Sequence, residues 1–168
     1  MILIINLCAE KLHYYEFVKP IEEILKINSV EYLTKHYNDI DASDLLKFSK
    51  IIICGTSLKD NEFIKDLNKF NLLININKPV LGICGGSHVI GLILRYKLEI
   101  KNEIGLKEIN INEEFLGAKG KLQVYHLHGF QVLPEIYHKD NFYATVFHPE
   151  VRNKALIVNF CNLKSNNL

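Results

Sequence analysis

The sequence predicts an α/β fold, with a mostly parallel central sheet, helices on both its faces and a smaller antiparallel part in the C-terminal half. Three observations carry that expectation. Through the first half, short apolar runs alternate with segments whose apolar residues recur at helical spacing. From residue 107 onward the chain changes to alternating stretches without long helices between them. At about 150 residues per domain, 168 residues are expected to form one domain, residues 1–168.

Residues 2–7 are uniformly apolar apart from Asn6 and read as the first strand. Phe17, Val18, Ile21, Ile24 and Leu25 follow at helical spacing, with Pro20 early enough to be tolerated or to mark the first turn. Residues 30–34 read as the second strand. Asp41 and Ser43 are cap candidates ahead of Leu45, Leu46 and Phe48, and residues 51–54 form a short apolar strand that stops at Gly55. A helix starting near Asp60 or Asn61 would bury Phe63, Ile64, Leu67 and Phe70 before residues 79–83 supply the next strand. Residues 87–95 then read as a helix. Residues 107–111, 122–125 and 142–147 alternate like strands, and 153–162 return to helical spacing through Ala155, Leu156, Val158 and Phe160. Tyr14, Tyr15, Phe17 and Phe63 are expected to pack in the core or on helices, not to stack on bases.

Hydrophobic residues make up 48% of the chain and charged residues 23%, which excludes the disordered and fibrous classes. The net charge of +1 is spread without a like-charge block, so neither nucleic acid nor an anionic membrane is an expected partner. Cys8, Cys54, Cys84 and Cys161 are dispersed with no C-x-x-C pair, as free thiols in a reducing compartment would be. The apolar opening lacks a basic flank and meets Glu10 and Lys11 too soon for a signal peptide or a membrane span. A cytoplasmic location is therefore expected.

The sharpest feature is Gly82-Ile83-Cys84-Gly85-Gly86. A nucleophile between a strand and a helix sits on a turn so tight that side chains two positions away on either side would collide, which requires G-x-nucleophile-x-G. Here residues 80–83 are the strand, Cys84 the nucleophile, and Gly82 and Gly86 the cleared flanks. The unpaired N–H groups and dipole at the amino end of the following helix favour a thiolate, and the Gly85 N–H is placed to meet an oxyanion. The plainer reading is a buried small residue in a phosphate loop or an ordinary strand-to-helix turn.

The second feature is Phe147-His148-Pro149-Glu150 at the end of a strand. Pro149 pushes His148 toward an extended conformation, so that positions 148 and 150 project to the same side, with α-carbons about 6.6 Å apart. Glu150 would then orient the imidazole and stabilise imidazolium, leaving the other ring nitrogen to take a thiol proton. Read alone, His-Pro-Glu is more readily an exposed turn, and it is the pairing with the cysteine elbow that reverses this.

With both features in hand, the sequence resembles the class I glutamine amidotransferase family, whose members carry a G-[IV]-C-x-G elbow followed later by F-H-P-E. Residues 79–92 and 144–160 resemble the family's motif regions, and His126-Leu-His-Gly-Phe130 resembles the loop before its catalytic histidine. The resemblance implies Cys84 as nucleophile, His148 as base and Glu150 as its orienting partner, with glutamine as acyl donor. It further implies oxyanion donors at Gly85 and Thr56, and substrate contacts at Gly55, His88, His128, Gly129 and Phe130. It implies no cofactor. A chain of this length has no room for a synthase, so a separate synthase subunit that uses the ammonia is the expected partner.

Three departures bear on the substrate. The family's C-x-G-H-Q is Cys84-Gly-Gly-Ser-His88 here, its Gly-Gly-Pro loop is Gly55-Thr-Ser57, and the asparagine before H-G-F is Leu127. These leave open a γ-glutamyl or related amide hydrolase using the same three side chains, or a catalytically silent binding module of the same fold. His126 and His128 share a strand face and, with His148 or His138, have the nitrogens for zinc. No cysteine or carboxylate pair stands nearby at a familiar metal spacing, so no metal is expected, and a substrate-side role is the simpler assignment for His128.

Overall fold

A computed structural model describes residues 1–164. Its core is a six-stranded sheet in the order β2-β1-β3-β4-β8-β7. The strands are β1 (Ile2–Asn6), β2 (Tyr32–His36), β3 (Lys50–Ile53), β4 (Val80–Ile83), β7 (Ile136–Lys139) and β8 (Phe142–Thr145). The five strands from β2 to β8 run parallel, and β7 closes the edge antiparallel to β8. A separate two-stranded antiparallel ribbon joins β5 (Glu99–Phe115) to β6 (Ala118–Gln131).

Because side chains alternate across a strand, the apolar runs of β1, β3 and β4 feed both faces of the sheet. Ile2, Ile4, Ile52, Cys54, Leu81 and Ile83 pack on one side with Ile21, Ile24 and Leu25 of α2 (Lys19–Ile27) and Leu156, Ile157 and Phe160 of α5 (Lys154–Asn162). Leu3, Ile5, Ile51, Ile53 and Val80 pack on the other with Leu45 of α3 (Ala42–Lys47) and Val89, Ile90 and Ile93 of α4 (Gly85–Ile93). Val124 of β6 joins the first layer, which roots the ribbon in the core.

The first helical segment is built in pieces: α1 (Lys11–His13), a π-helical stretch Tyr14–Val18, then α2 with Pro20 in its first turn. The wider π turn shifts the register, so Phe17 is buried whereas Tyr15 stands 67% exposed, against the expectation that it packs inward. The second strand falls two residues later than its apolar pattern suggests, because its half-buried edge position asks for little apolar content. Asp41 caps α3 in a reciprocal capping box with Asp44, and Ser43 lies inside the helix. No α-helix forms between Asp60 and β4. Short 3-10 turns, Glu62–Ile64 and Leu67–Leu73, replace it, neither with a side-chain cap, and they bury Phe63 and Phe70 while Ile64 and Leu67 stay partly exposed. No helix among the described residues is long and apolar enough to cross a membrane.

The sheet order sets up the site. The carboxyl ends of the neighbouring strands β3, β4 and β8 lead directly into Gly55-Thr56, Cys84 and the 146–150 segment, the edge where ligands of open α/β sheets bind.

Candidate active site

Cys84 is the residue between β4 and α4, held at φ 47° and ψ −103°. For a residue with a side chain this conformation costs on the order of 1–3 kcal/mol and is kept only where its surroundings enforce it. The glycines on either side explain how. A Cβ on Gly82 would stand 2.5 Å from the Gly86 carbonyl oxygen, and one on Gly86 would run into the Ile53 carbonyl. The Cys84 N–H donates to the Thr145 carbonyl at 2.8 Å, fixing the turn to β8. The Cys84 carbonyl accepts from the Ser87 and His88 N–H groups and from Ser87 Oγ at 2.6 Å. Ser87 therefore braces the elbow from behind. The thiol itself, in a side chain 3% exposed, donates to the Leu127 carbonyl of β6 at 3.5 Å.

His148 and Glu150 are buried, with His148 Nδ1 donating to Glu150 Oε1 at 2.6 Å. The His148 N–H donates to the Tyr125 carbonyl at 2.9 Å, and the Phe17 ring packs against the imidazole at 5.5 Å between centroids. Burial alone would lower the His148 pKa, but the Glu150 carboxylate and the Cys84 side chain outweigh it and hold the ring well above its ordinary value. His148 Nε2 is buried with no hydrogen-bond partner. Cys84 and His148 meet over Gly55: a Cβ there would lie 2.7 Å from His148 Cε1 and 3.3 Å from Cys84 Cβ. Only a residue lacking a side chain leaves that approach open.

In front of the thiol lies a narrow cleft lined by Thr56, Gly85, His88, His128, Gly129 and Phe130, among others. Thr56 and Gly85 are neighbours across it, since a Cβ on Gly85 would stand 3.4 Å from Thr56 Cγ2. His88 is buried with Nε2 unpartnered, and burial first, then His128, pushes its pKa down to about 4, so the ring is neutral near pH 7. The sequence-predicted positions thus gather near one thiol: Cys84 and six others line the cleft, Gly55 packs against Cys84 and His148, and Glu150 is hydrogen-bonded to His148. The His126–Phe130 stretch belongs to strand β6, not to a loop.

Sequence reading missed Asp60, expected only as a helix start. Its buried carboxylate accepts from Thr56 Oγ1 at 2.9 Å, from the Ala9 N–H at 2.8 Å and faces His13 Nδ1 at 3.2 Å. It ties the loop after β1 to the loop after β3, and the only trace of this in the sequence is an acidic residue four positions past Thr56. The histidine grouping also differs from expectation. His138 stacks on Tyr143 and His148 is engaged by Glu150, so neither joins His126 and His128; Glu103 and Glu135 do. Local spacing gave no sign of these carboxylates because one crosses from β5 and the other follows β6.

Comparison with known proteins bears on the family and the fold. The profile of a family described as glutamine amidotransferase class-I matches residues 13–136, a stretch that contains Cys84 and stops short of His148. Among curated proteins nothing matches. Among solved structures, that of a Thermoplasma acidophilum protein described as part of a GMP synthase superposes with a TM-score of 0.80 at 21% identity, covering 96% of this chain and 92% of that one. A glutamine amidotransferase from Thermotoga maritima gives 0.64 at 16% identity, covering 92% and 78%. A glutamine amidotransferase from Methylobacillus flagellatus gives 0.61 at 16% identity, covering 99% and 76%. At these identities the likeness speaks for the fold.

Proposed function

The chain belongs to the class I glutamine amidotransferase family, with the general activity of that class, and from that premise we propose that it hydrolyses glutamine to glutamate and ammonia through a cysteinyl thioester on Cys84. Residues 1–168 act as one amidotransferase-like domain. The observation that carries the reading is the meeting of a strained Cys84 with a His148 already hydrogen-bonded to Glu150.

His148 Nε2 takes the Cys84 proton, and the thiolate attacks the side-chain carboxamide carbon of glutamine. The oxyanion is met by the N–H groups of Gly85 and Thr56, which need no particular side chain to serve as donors. As the tetrahedral species collapses, the C–N bond breaks and His148 returns the proton to the departing nitrogen, which leaves as ammonia. Water, deprotonated by the same imidazole, attacks the thioester, releasing glutamate and restoring the thiol. Glu150 keeps the ring in the productive tautomer and offsets its positive charge. His88, in the position where the family usually has glutamine, holds the substrate together with Gly55, His128, Gly129 and Phe130. The chain works in the cytoplasm, where its four free cysteines stay reduced.

A separate synthase subunit receives the ammonia, a reading supported by the description of the Thermoplasma protein as part of a synthase. The test is glutamate release from glutamine by the purified protein, with and without candidate synthases, for the native chain and Cys84→Ala. Release that requires Cys84 and rises on synthase addition is the expected result. Turnover confined to other γ-glutamyl amides would favour the amide hydrolase that the His88 departure allows. Absence of turnover and of thiol labelling with every partner would leave a silent binding module.

A further inference from the structure

We propose that Glu103, His126 and His128 form a three-ligand site for a divalent transition metal, zinc by preference, on the ribbon strands that wall the Cys84 cleft. The antiparallel register places Glu103 directly opposite His128, and Gly105 opposite His126, so the three side chains share one face. Their inward atoms form a compact triangle: His126 Nδ1 to His128 Nε2 is 3.0 Å, His128 Nε2 to Glu103 Oε2 is 3.4 Å, and His126 Nδ1 to Glu103 Oε2 is 3.6 Å. Zinc bonds of about 2.0–2.1 Å put adjacent ligand atoms of a tetrahedron about 3.3–3.4 Å apart, the size of this triangle.

The outer nitrogens are arranged as metal-ligating imidazoles require. His128 Nδ1 donates to the Lys101 carbonyl at 3.1 Å, which leaves Nε2 as the lone-pair nitrogen. His126 Nε2 stands 3.4 Å from Glu135 Oε2, where a slight turn of either group makes the carboxylate–histidine pair that supports a ligand. Without a cation, a neutral His126 has no good tautomer. Protonated on Nδ1, it turns the Nε2 lone pair on the Glu135 carboxylate; protonated on Nε2, it turns Nδ1 on the lone pair of His128. His126 Nε2, Glu103 Oε2 and Glu135 Oε2 are all buried atoms without a hydrogen-bond partner. A cation held by Nδ1, Nε2 and Oε2 resolves the conflict.

Lys107 bonds Glu103 through the other oxygen, Oε1, at 2.7 Å. Lys101 Nζ is the competitor for Oε2, at 3.4 Å, and its 40% exposed side chain is free to swing away. Space for a fourth ligand lies over Gly105, where a built Cβ meets no atom within 4 Å. His128 also lines the Cys84 cleft, but none of Cys84, His148 and Glu150 is a ligand, so metal binding can be tested apart from the thiol chemistry.

The protein is stripped with a chelator, dialysed and titrated with Zn²⁺ alone against a chromophoric chelator, and its Co²⁺ complex is recorded by absorption. We expect one equivalent bound, cobalt d–d bands of a four- or five-coordinate N/O site with no sulfur-to-cobalt charge-transfer band, and the same affinity in Cys84→Ala. Glu103→Gln and His126→Gln lose the equivalent, and Glu135→Gln weakens binding by about 10–100-fold. Binding abolished by Cys84→Ala, a thiolate band, or undiminished binding in Glu103→Gln would overturn the proposal. So would no binding at all, which would assign the cluster to an imidazolium between Glu135 and His128. Where a variant folds poorly, the cobalt spectrum of the native protein decides.

Discussion

Gly86 faces the Ile53 carbonyl so closely that a single added carbon has nowhere to go, and β3 and α4 meet at that point. Gly86→Ala is expected to lower stability by about 1–3 kcal/mol, the usual cost of overpacking, read as a reduced urea midpoint at unchanged slope. A midpoint within error of the native value would show that the elbow relaxes more easily than its geometry implies. For Glu150, replacement by Gln keeps the shape but removes the charge and turns an amide donor toward His148 Nδ1. Acyl-enzyme formation is expected to slow by about 10²-fold or more with KM little changed; a rise in KM alone would count against the role given to Glu150. These residues were legible in the sequence because their reasons are local: two glycines that must flank the bend, and a proline that sends His148 and Glu150 to one side. Asp60 and Glu103 were not, since each meets its partners only after distant loops or strands have been brought alongside.

Among the elements, α3 shows how much one end residue can carry. It has six residues, too few to persist on propensity, and its capping box supplies the Asp44 N–H with the Asp41 carboxylate at 3.0 Å and the Asp41 N–H with Asp44 at 3.2 Å. Asp41→Ala is expected to cost about 1 kcal/mol in urea unfolding. The cap was readable because the aspartate stands immediately before an apolar pattern. The apolar strands β1, β3 and β4 were readable for a similar reason, since burial on both faces leaves a continuous run. The helix expected after Asp60 failed because Phe63 and Phe70 satisfy a helical period without any cap to start one, and 3-10 turns bury the same rings. The ribbon was legible only in fragments. β5 is 17 residues long with most positions partly or fully exposed, so much of it carries no apolar alternation to read.

Across the whole molecule, stability should depend on pH through the buried histidines of the cleft. His88 has its pKa lowered from 6.5 to about 4, so between those values the unfolded chain binds a proton that the folded chain refuses. Folding free energy is therefore lost as the pH falls from about 6.5 to about 4, by about 3 kcal/mol for this one group. His148 works in the opposite sense: its raised pKa contributes stability in full below about 6.5, lost only as the pH rises through the elevated value. Urea midpoints at about pH 7 and about pH 4.5 should converge in His88→Gln relative to the native chain; an equal acid loss in both would place the effect elsewhere. The parallel architecture was predictable from alternation of strands and helices, but strand order was not, because neighbours in the sheet are far apart in sequence. β8 pairs with β4, through Val80↔Phe142 and Leu81↔Tyr143, after the entire ribbon has intervened. A growing polypeptide on the ribosome consequently carries one side of β4 as a bare, greasy margin until residues 142–145 emerge. Until then His148 is missing from beside the sulfur, and the unfinished product is sticky toward its neighbours.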